Sequence, residues 1–126
     1  MELDRNETDR SYLYGRLLAV YEKVEKWALG SNEDRLPNAI RLQAAYSQHP
    51  ATTRKVIENA LVPYYQKLGA KKSEYYKREI EEISLKLELD TTNRALSEMY
   101  LPGYWAERAE LNKKKDKEDR NNSEEA

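Results

Sequence analysis

The stretch from Tyr12 to Gly30 limits the possible folds most strongly, because it is the longest apolar-periodic run in the chain. Its apolar side chains recur at spacings of three and four residues: Leu13, Leu17, Val20, Val24 and Ala28. That periodicity predicts an amphipathic α-helix over 9–29. Thr8 or Asp9 can cap its first amides, and Gly30 can take the left-handed conformation that ends it. We expect the other helices to pack on this apolar stripe.

Gly15 lies inside this first helix, where a glycine lowers helix stability relative to alanine. The absence of a side chain lets another helix cross close to the backbone at that point. A glycine that is only tolerated there fits the sequence equally well. The sequence alone leaves both interpretations open.

The composition indicates one small domain with a modest core. The chain has 126 residues, of which 36% are charged and 39% hydrophobic, with ten Tyr and no Phe. The lack of Cys excludes disulfides and thiolate metal sites, and it fits the reducing cytoplasm, where we expect the protein to reside. No apolar run reaches the roughly 18 residues that cross a bilayer, and the charged N-terminus is no signal peptide.

Breaks and apolar periodicity divide the rest of the chain into further helices. We expect these at about 35–47, 50–68, 74–89 and 92–112, the one at 74–89 capped by Ser73. Pro63 and Pro102 fall inside two of these segments and predict kinks or breaks there. No β-branched run or hairpin turn appears. The sequence therefore predicts an all-α protein, a compact bundle of about five helices.

Both termini differ from the predicted bundle in composition. Residues 1–8 have the character of a flexible leader. From Lys113 the chain carries five charges of each sign and no apolar residue before the final Ala. Such a segment buries too little surface to offset its ordering entropy, so we expect 113–126 to be a disordered charged tail. The bundle itself is expected to span 9–112.

Residue patterns typical of catalysis are missing from the sequence. The single histidine, His49, lies in a turn before Pro50, and one imidazole does not make a histidine metal site. There is no HExxH pair, no glycine-rich phosphate loop and no GxSxG nucleophile. We expect a protein that is not an enzyme and needs no metal or cofactor.

The net charge is only −1, but basic and acidic residues are distributed unevenly along the chain. Residues 35–72 carry seven Lys or Arg and one acid, whereas the rest carries fifteen basic and twenty-two acidic residues. Basic side chains bind phosphate without reading bases, and interleaved tyrosines can stack on exposed bases. The candidates for phosphate contact are Arg41, Arg54, Lys55, Lys67, Lys71 and Lys72, with Arg35 and Arg16 as outer candidates. A solvated basic face over core tyrosines explains the pattern equally well.

Four stretches resemble one known family. They are YLYGRLLAVYEK (12–23), YYQKL (64–68), YYKREIEEI (75–83) and GYW (103–105). In that order they are similar to the C-terminal helical region of the large subunit of type I-C CRISPR interference complexes. The resemblance covers roughly residues 9–112, and the stretch in the first helix is its most specific part.

The resemblance implies a function as well as a fold. In this family the same region is also made separately, as the small subunit of the Cascade complex, in more than one copy along the backbone filament. It implies a non-catalytic helical bundle that contacts the large and backbone subunits, the guide RNA–target DNA heteroduplex and the displaced non-target strand. We therefore expect R-loop stabilisation through sequence-independent backbone contacts. The alternative is a helical adaptor that bridges protein subunits without touching nucleic acid.

Overall fold

Six α-helices make up most of the chain in a computed structural model, which describes residues 2–30, 37–88 and 90–125, with side chains as far as Lys113. They are α1 (Arg10–Leu29), α2 (Asn38–Arg41), α3 (Gln43–Gln48), α4 (Pro50–Leu68), α5 (Ala70–Leu87) and α6 (Tyr100–Glu125). The described residues contain no β-strand, so the all-α prediction is confirmed. The second predicted helix is divided into α2 and α3 at Leu42.

The central helix of the bundle is α1, which contacts α2, α4, α5 and α6. Every residue from Ser11 to Glu22 is buried, so this part of the helix is enclosed on all sides. Asp9 is the N-cap, its carboxylate accepting from the Tyr12 amide at 3.0 Å, and Gly30 ends the helix with a positive φ of 63°. The first helix is therefore confirmed, although Arg16, an outer candidate for phosphate contact, is fully buried within it.

Tyrosines take the place of phenylalanine in the core, and their hydroxyl groups bond inside it. The Tyr14 hydroxyl donates to Asp90 at 2.7 Å, and the Tyr46 hydroxyl donates to the Tyr14 carbonyl. Tyr21 likewise donates to Glu58. A buried tyrosine contributes a large apolar ring but leaves a hydroxyl that needs a partner. These bonds connect α1 to α3, α4 and the segment after α5.

Helices α1 and α6 cross at two glycines, Gly15 on α1 and Gly103 on α6. A Cβ atom built on Gly15 would lie 2.9 Å from the Tyr104 amide nitrogen, and one built on Gly103 would lie 2.8 Å from the Tyr12 carbonyl carbon. Real Cβ atoms do not approach backbone so closely, so both positions require glycine. Of the two interpretations of Gly15, the close crossing is the one that the structure has.

The prediction of a helix over 92–112 is wrong in its first half. Residues 90–97 are not helical, and the helix begins only at Tyr100. Arg10 holds this segment by donating to the Asp90 carboxylate and to the carbonyls of Thr92 and Arg94, at 2.9–3.0 Å. These bonds fix the backbone outside the helical conformation.

Neither internal proline interrupts its helix. Pro102 lies in the first turn of α6, where an amide has no partner within the helix in any case. Pro63 is exposed inside α4, and the helix assignment continues through it to Leu68. The structure therefore has no helix break at either proline, and the predicted kinks near Pro63 and Pro102 stay predictions.

The structure describes the two ends of the chain only in part, so the predictions for them are only partly tested. In the leader, Arg5 donates to Glu79 and Glu82 at 3.1 and 3.0 Å. The backbone of α6 is helical to Glu125, while side chains from residue 114 onward lie outside the described residues. The flexible leader, the bundle bounds of 9–112 and the disordered tail stay predictions. Among the described residues, no helix is both long and apolar enough to cross a membrane.

Candidate nucleic-acid interface

The tight turn between α4 and α5 brings three of the predicted lysines together. Gly69, with a positive φ of 84°, is the single residue between the two helices. Ser73, predicted as the cap of the next helix, instead lies in its first turn and donates its hydroxyl to the Tyr65 carbonyl at 2.5 Å. That bond satisfies a carbonyl at the end of α4 and closes the helical hairpin. Lys67, Lys71 and Lys72 therefore share one end of the bundle.

Aromatic rings lie under the lysines at this end. Lys72 Nζ is 3.5 Å from the centroid of Trp27, which belongs to the last turns of α1. Lys77 Nζ is 4.7 Å from the Tyr65 centroid, and a longer contact of 6.0 Å joins Lys67 to Tyr64. An ammonium group over a ring face is attracted by the ring quadrupole, by about 0.5–1 kcal/mol at exposed sites. We call this group of residues the lysine corner: Lys67, Lys71, Lys72, Lys77, Trp27, Tyr64 and Tyr65.

The lysine corner has the chemistry of a polyanion contact. Lys67, Lys71 and Lys77 are exposed, and among the described residues no carboxylate lies within 4 Å of their ammonium groups. A tyrosine hydroxyl is neutral at pH 7 and adds no negative charge, and burial, followed by the charge of Glu58, raises the pKa of Tyr65 further, to about 12. Four cations beside neutral rings can neutralise phosphates and lie against bases without selecting a sequence.

Two other candidates on α4 do not belong to the corner. Arg54 is engaged within the bundle, donating to Glu58 at 2.9 Å and to Ser84 at 2.6 Å. Lys55 is exposed but lies twelve residues before Lys67, which is about 18 Å along an α-helix. Neither side chain adds to the local charge around Gly69.

The remaining sequence candidates lie elsewhere. Arg41 is exposed on α2 and donates to Asn38 at 2.5 Å, so it can still reach a ligand but not as part of the corner. Arg35 lies outside the described residues. Arg16 is fully buried, with its guanidinium donating to Glu107 and Glu82 at 3.0 and 2.9 Å. The prediction that Arg16 contacts phosphate is therefore wrong.

Lys77 and Trp27 belong to the corner, although the charge pattern of 35–72 does not point to either. An antiparallel helical hairpin places Lys77, two turns into α5, beside Tyr65 near the end of α4. Recognising that 50–68 and 70–87 form a hairpin would have indicated Lys77. Trp27 comes from a distant part of the sequence, and no local pattern indicates its position.

The opposite end of the bundle carries surface acids. The start of α1, the end of α5 and the segment after α5 lie at this end. An ion pair of 2.9 Å between Arg10 and Asp90 joins the start of α1 to that segment. The acids at this end are Glu2, Asp4, Glu7, Asp9, Glu88 and Glu98. Acids at this end and lysines at the other separate charge along the bundle.

A comparison with protein families connects this helical bundle to a known group. Residues 1–112 match the model of the family described as CRISPR-associated protein (Cas_Csd1). The chain belongs to this family. Csd1 proteins are components of the type I-C CRISPR Cascade, so the family resemblance of the four sequence stretches is confirmed. No curated protein matches the chain.

Proposed function

We propose that this Csd1-family chain is a non-catalytic small subunit of the type I-C Cascade that stabilises the R-loop through the lysine corner. The observation that carries the proposal is the convergence of Lys67, Lys71, Lys72 and Lys77 at one end of the bundle. Among the described residues, the exposed members of this set have no carboxylate partner. Their contacts would be to sugar–phosphate backbone, of the displaced strand and of the guide–target heteroduplex.

Weak contacts suffice for this task. Opening an R-loop exchanges one duplex for another of similar stability, and protein contacts to the backbones help to tip the balance. Each lysine that displaces a counterion from single-stranded nucleic acid contributes about 0.7 to the log–log salt slope. Four such contacts give a slope of roughly −3. A subunit held beside the strands by the rest of the complex needs no more, because its effective concentration is high.

The test is a pair of double variants with the same change of charge. Lys67→Glu/Lys71→Glu reverses two exposed lysines of the corner, and Arg78→Glu/Arg94→Glu reverses two exposed cations that are not among the candidates. In reconstituted guide-RNA complexes we expect the corner variant to shorten the R-loop lifetime at least fivefold and the control variant to leave it within twofold. Equal R-loop lifetimes for the corner variant and the unchanged chain would contradict the proposal.

The second candidate function is an adaptor that bridges protein subunits without touching nucleic acid. The exposed Trp105 on α6 favours it, because exposed tryptophans often anchor protein contacts. The adaptor predicts that incorporation into the complex depends on such apolar residues, while R-loop lifetime does not respond to charge reversal at the lysine corner.

A further inference from the structure

Trp27, near the end of α1, presents one flat face of its indole ring to the lysine corner. The residue is half-buried and packs against the core. The Lys72 ammonium lies 3.5 Å from the ring centroid, a distance that places it above the ring and not at the edge. An ammonium group therefore occupies this face in place of a core side chain. Since Lys72 is itself partly exposed, moving its ammonium opens the face to solvent.

The interaction that keeps Lys72 over the ring is weak. Lys72 lies in the first turn of α5, and among the described residues no carboxylate lies within 4 Å of its ammonium group. A cation over a ring at a partly exposed site gains little free energy. The lysine stem is also flexible and carries a compact charge at its end. A phosphate beside the ring would therefore attract the ammonium away from Trp27.

An unpaired base fits the face that Lys72 would leave. Stacking of a base on an aromatic side chain is stronger than an exposed contact between a cation and a ring. Lys67 and Lys71 are exposed at the same end of the bundle, so the flanking phosphates would have cations to bind. Tyr64 and Tyr65 carry smaller rings, and their lysines lie farther from the ring centroids, at 6.0 and 4.7 Å. Trp27 is therefore the main stacking position of the corner.

A duplex cannot use this face in the same way. Its bases are paired and stacked on one another, so it offers phosphates to the lysines but no base to Trp27 unless a base is unstacked at a cost in free energy. A single strand offers both, because its bases can turn outward and stack on aromatic side chains. The lysines bind only phosphate and do not distinguish stacked from unstacked bases. The ring beside them does.

We propose that Trp27 gives the lysine corner a preference for single-stranded nucleic acid over a duplex. In the free chain Lys72 covers the indole face. When a strand binds, an unpaired base stacks on the ring and Lys72 moves to a neighbouring phosphate. This inference rests on the proposed function, because it assumes that the corner holds nucleic-acid backbone. It adds that the corner binds the displaced strand of an R-loop more tightly than the heteroduplex.

Tryptophan fluorescence of the full chain tests the stacking directly, since the chain has two tryptophans. Trp105→Phe leaves Trp27 as the reporter, and Trp27→Phe leaves Trp105 on α6 as the matched control. Each variant is titrated at low salt with an oligothymidylate strand and with a hairpin duplex of equal phosphate number. We expect the strand to reduce Trp27 emission at least about twofold through stacking, and the duplex to leave it unchanged. Trp105 emission should respond to neither.

Binding affinities of a second pair of variants complete the test. Trp27→Leu is expected to lower the affinity for the strand about fivefold or more, the effect of losing one stacked base, and to leave the affinity for the duplex within about twofold. Trp105→Leu is the control and should change neither affinity. Thermal unfolding verifies that each variant is folded. The fluorescence of Trp105→Phe tests the inference even if Trp27→Leu does not fold.

The outcomes separate this inference from the proposed function. Trp27 emission that the strand leaves unchanged overturns the inference, and so do equal affinity losses for strand and duplex in Trp27→Leu. In either case a shorter R-loop lifetime for Lys67→Glu/Lys71→Glu still supports the proposed function. Quenching by the strand alone supports the inference, and it does so even if that lysine variant has no effect on the R-loop. The proposed function then fails and the stacking face remains.

Discussion

Arg16 Nε donates to Glu107 Oε1 at 3.0 Å, and both side chains are fully buried. The same guanidinium donates through Nη2 to Glu82 at 2.9 Å, so the group connects α1, α5 and α6. Three buried atoms nearby have no hydrogen-bond partner among the described residues: Arg16 Nη1, Glu79 Oε2 and Glu107 Oε2. Burial, together with the neighbouring Glu79 carboxylate, raises the pKa of Glu107. A proton held by Glu107 can satisfy the two carboxylate oxygens together.

This raised pKa predicts how stability depends on pH. The folded chain keeps a proton that the unfolded chain releases above its ordinary pKa of 4.5. Its stabilising contribution is therefore complete below pH 4.5 and is lost as pH rises through the raised pKa of the folded state. Glu107→Gln carries no titrating proton, so we expect the variant to gain stability relative to the unchanged chain as pH rises.

Urea unfolding between pH 5 and pH 9 measures this difference. Glu25, whose pKa burial also raises, is present in both chains and cancels from the comparison. Parallel stability curves for the two chains would mean that Glu107 titrates in the folded chain as it does in the unfolded one.

Removing Arg16 tests whether the buried polar groups depend on one another. Arg16→Met takes away the hydrogen-bond donor of the buried Glu107 and the cation paired with Glu82, and breaking such a buried pair typically costs about 3–5 kcal/mol of unfolding free energy. Adding Glu107→Leu removes the buried acid that has lost its partner, so we expect the double variant to recover at least half of that loss. Urea unfolding of the two single variants and the double variant gives the coupling. Strictly additive losses would show that the two side chains do not interact.

At the glycine crossing between α1 and α6, replacing Gly15 by Ala is expected to lower stability, although helix propensity alone predicts an increase. Gly15→Ala should stabilise an isolated helix by about 1 kcal/mol. In the bundle, the new methyl group would meet the backbone of α6, which cannot move as a flexible side chain can. We expect a net loss of about 1–3 kcal/mol, typical of overpacking. Ala60→Gly on α4 is the control, because it measures the Gly–Ala difference in helix propensity away from the crossing. An increase in stability of Gly15→Ala would show that α6 does not cross α1 at this position.

Lys77 is expected to act in the same way as the corner lysines that the charge pattern predicts. Lys77→Gln should reduce the magnitude of the log–log salt slope for binding single-stranded DNA by about 0.7. Its neighbour Arg78 is 75% exposed and already bonded to Glu74, so Arg78→Gln is the matched control and should change the slope less. Slopes from fluorescence anisotropy on the assembled complex measure the difference. Equal slopes for both variants would remove Lys77 from the corner.

The fold class and most helix positions could be predicted because they depend on local patterns. The periodicity of 12–30 identifies α1, and Pro50 and Gly69 mark the bounds of α4. The helix expected over 92–112 begins late because Arg10, far away in sequence, binds the Asp90 carboxylate and the backbone carbonyls of Thr92 and Arg94. Helix propensity contains no information about such a contact.

The candidate site could be predicted only in part, for a similar reason. Lys67, Lys71 and Lys72 are close in sequence, so a local charge count finds them. Arg16 has the sequence context of a surface residue, but its carboxylate partners lie 66 and 91 positions away. Whether a cation faces solvent or a buried acid depends on contacts between helices, and a charge count does not include them.

The most direct test of the account is the salt dependence of R-loop lifetime in the reconstituted complex, with the unchanged chain and with Lys67→Glu/Lys71→Glu. If the lysine corner holds nucleic-acid backbone, the lifetime falls as salt rises, and the variant both shortens it and flattens its log–log salt dependence by about 1.4, about 0.7 for each lost contact. Identical lifetimes and identical salt dependence for the two chains would contradict the account.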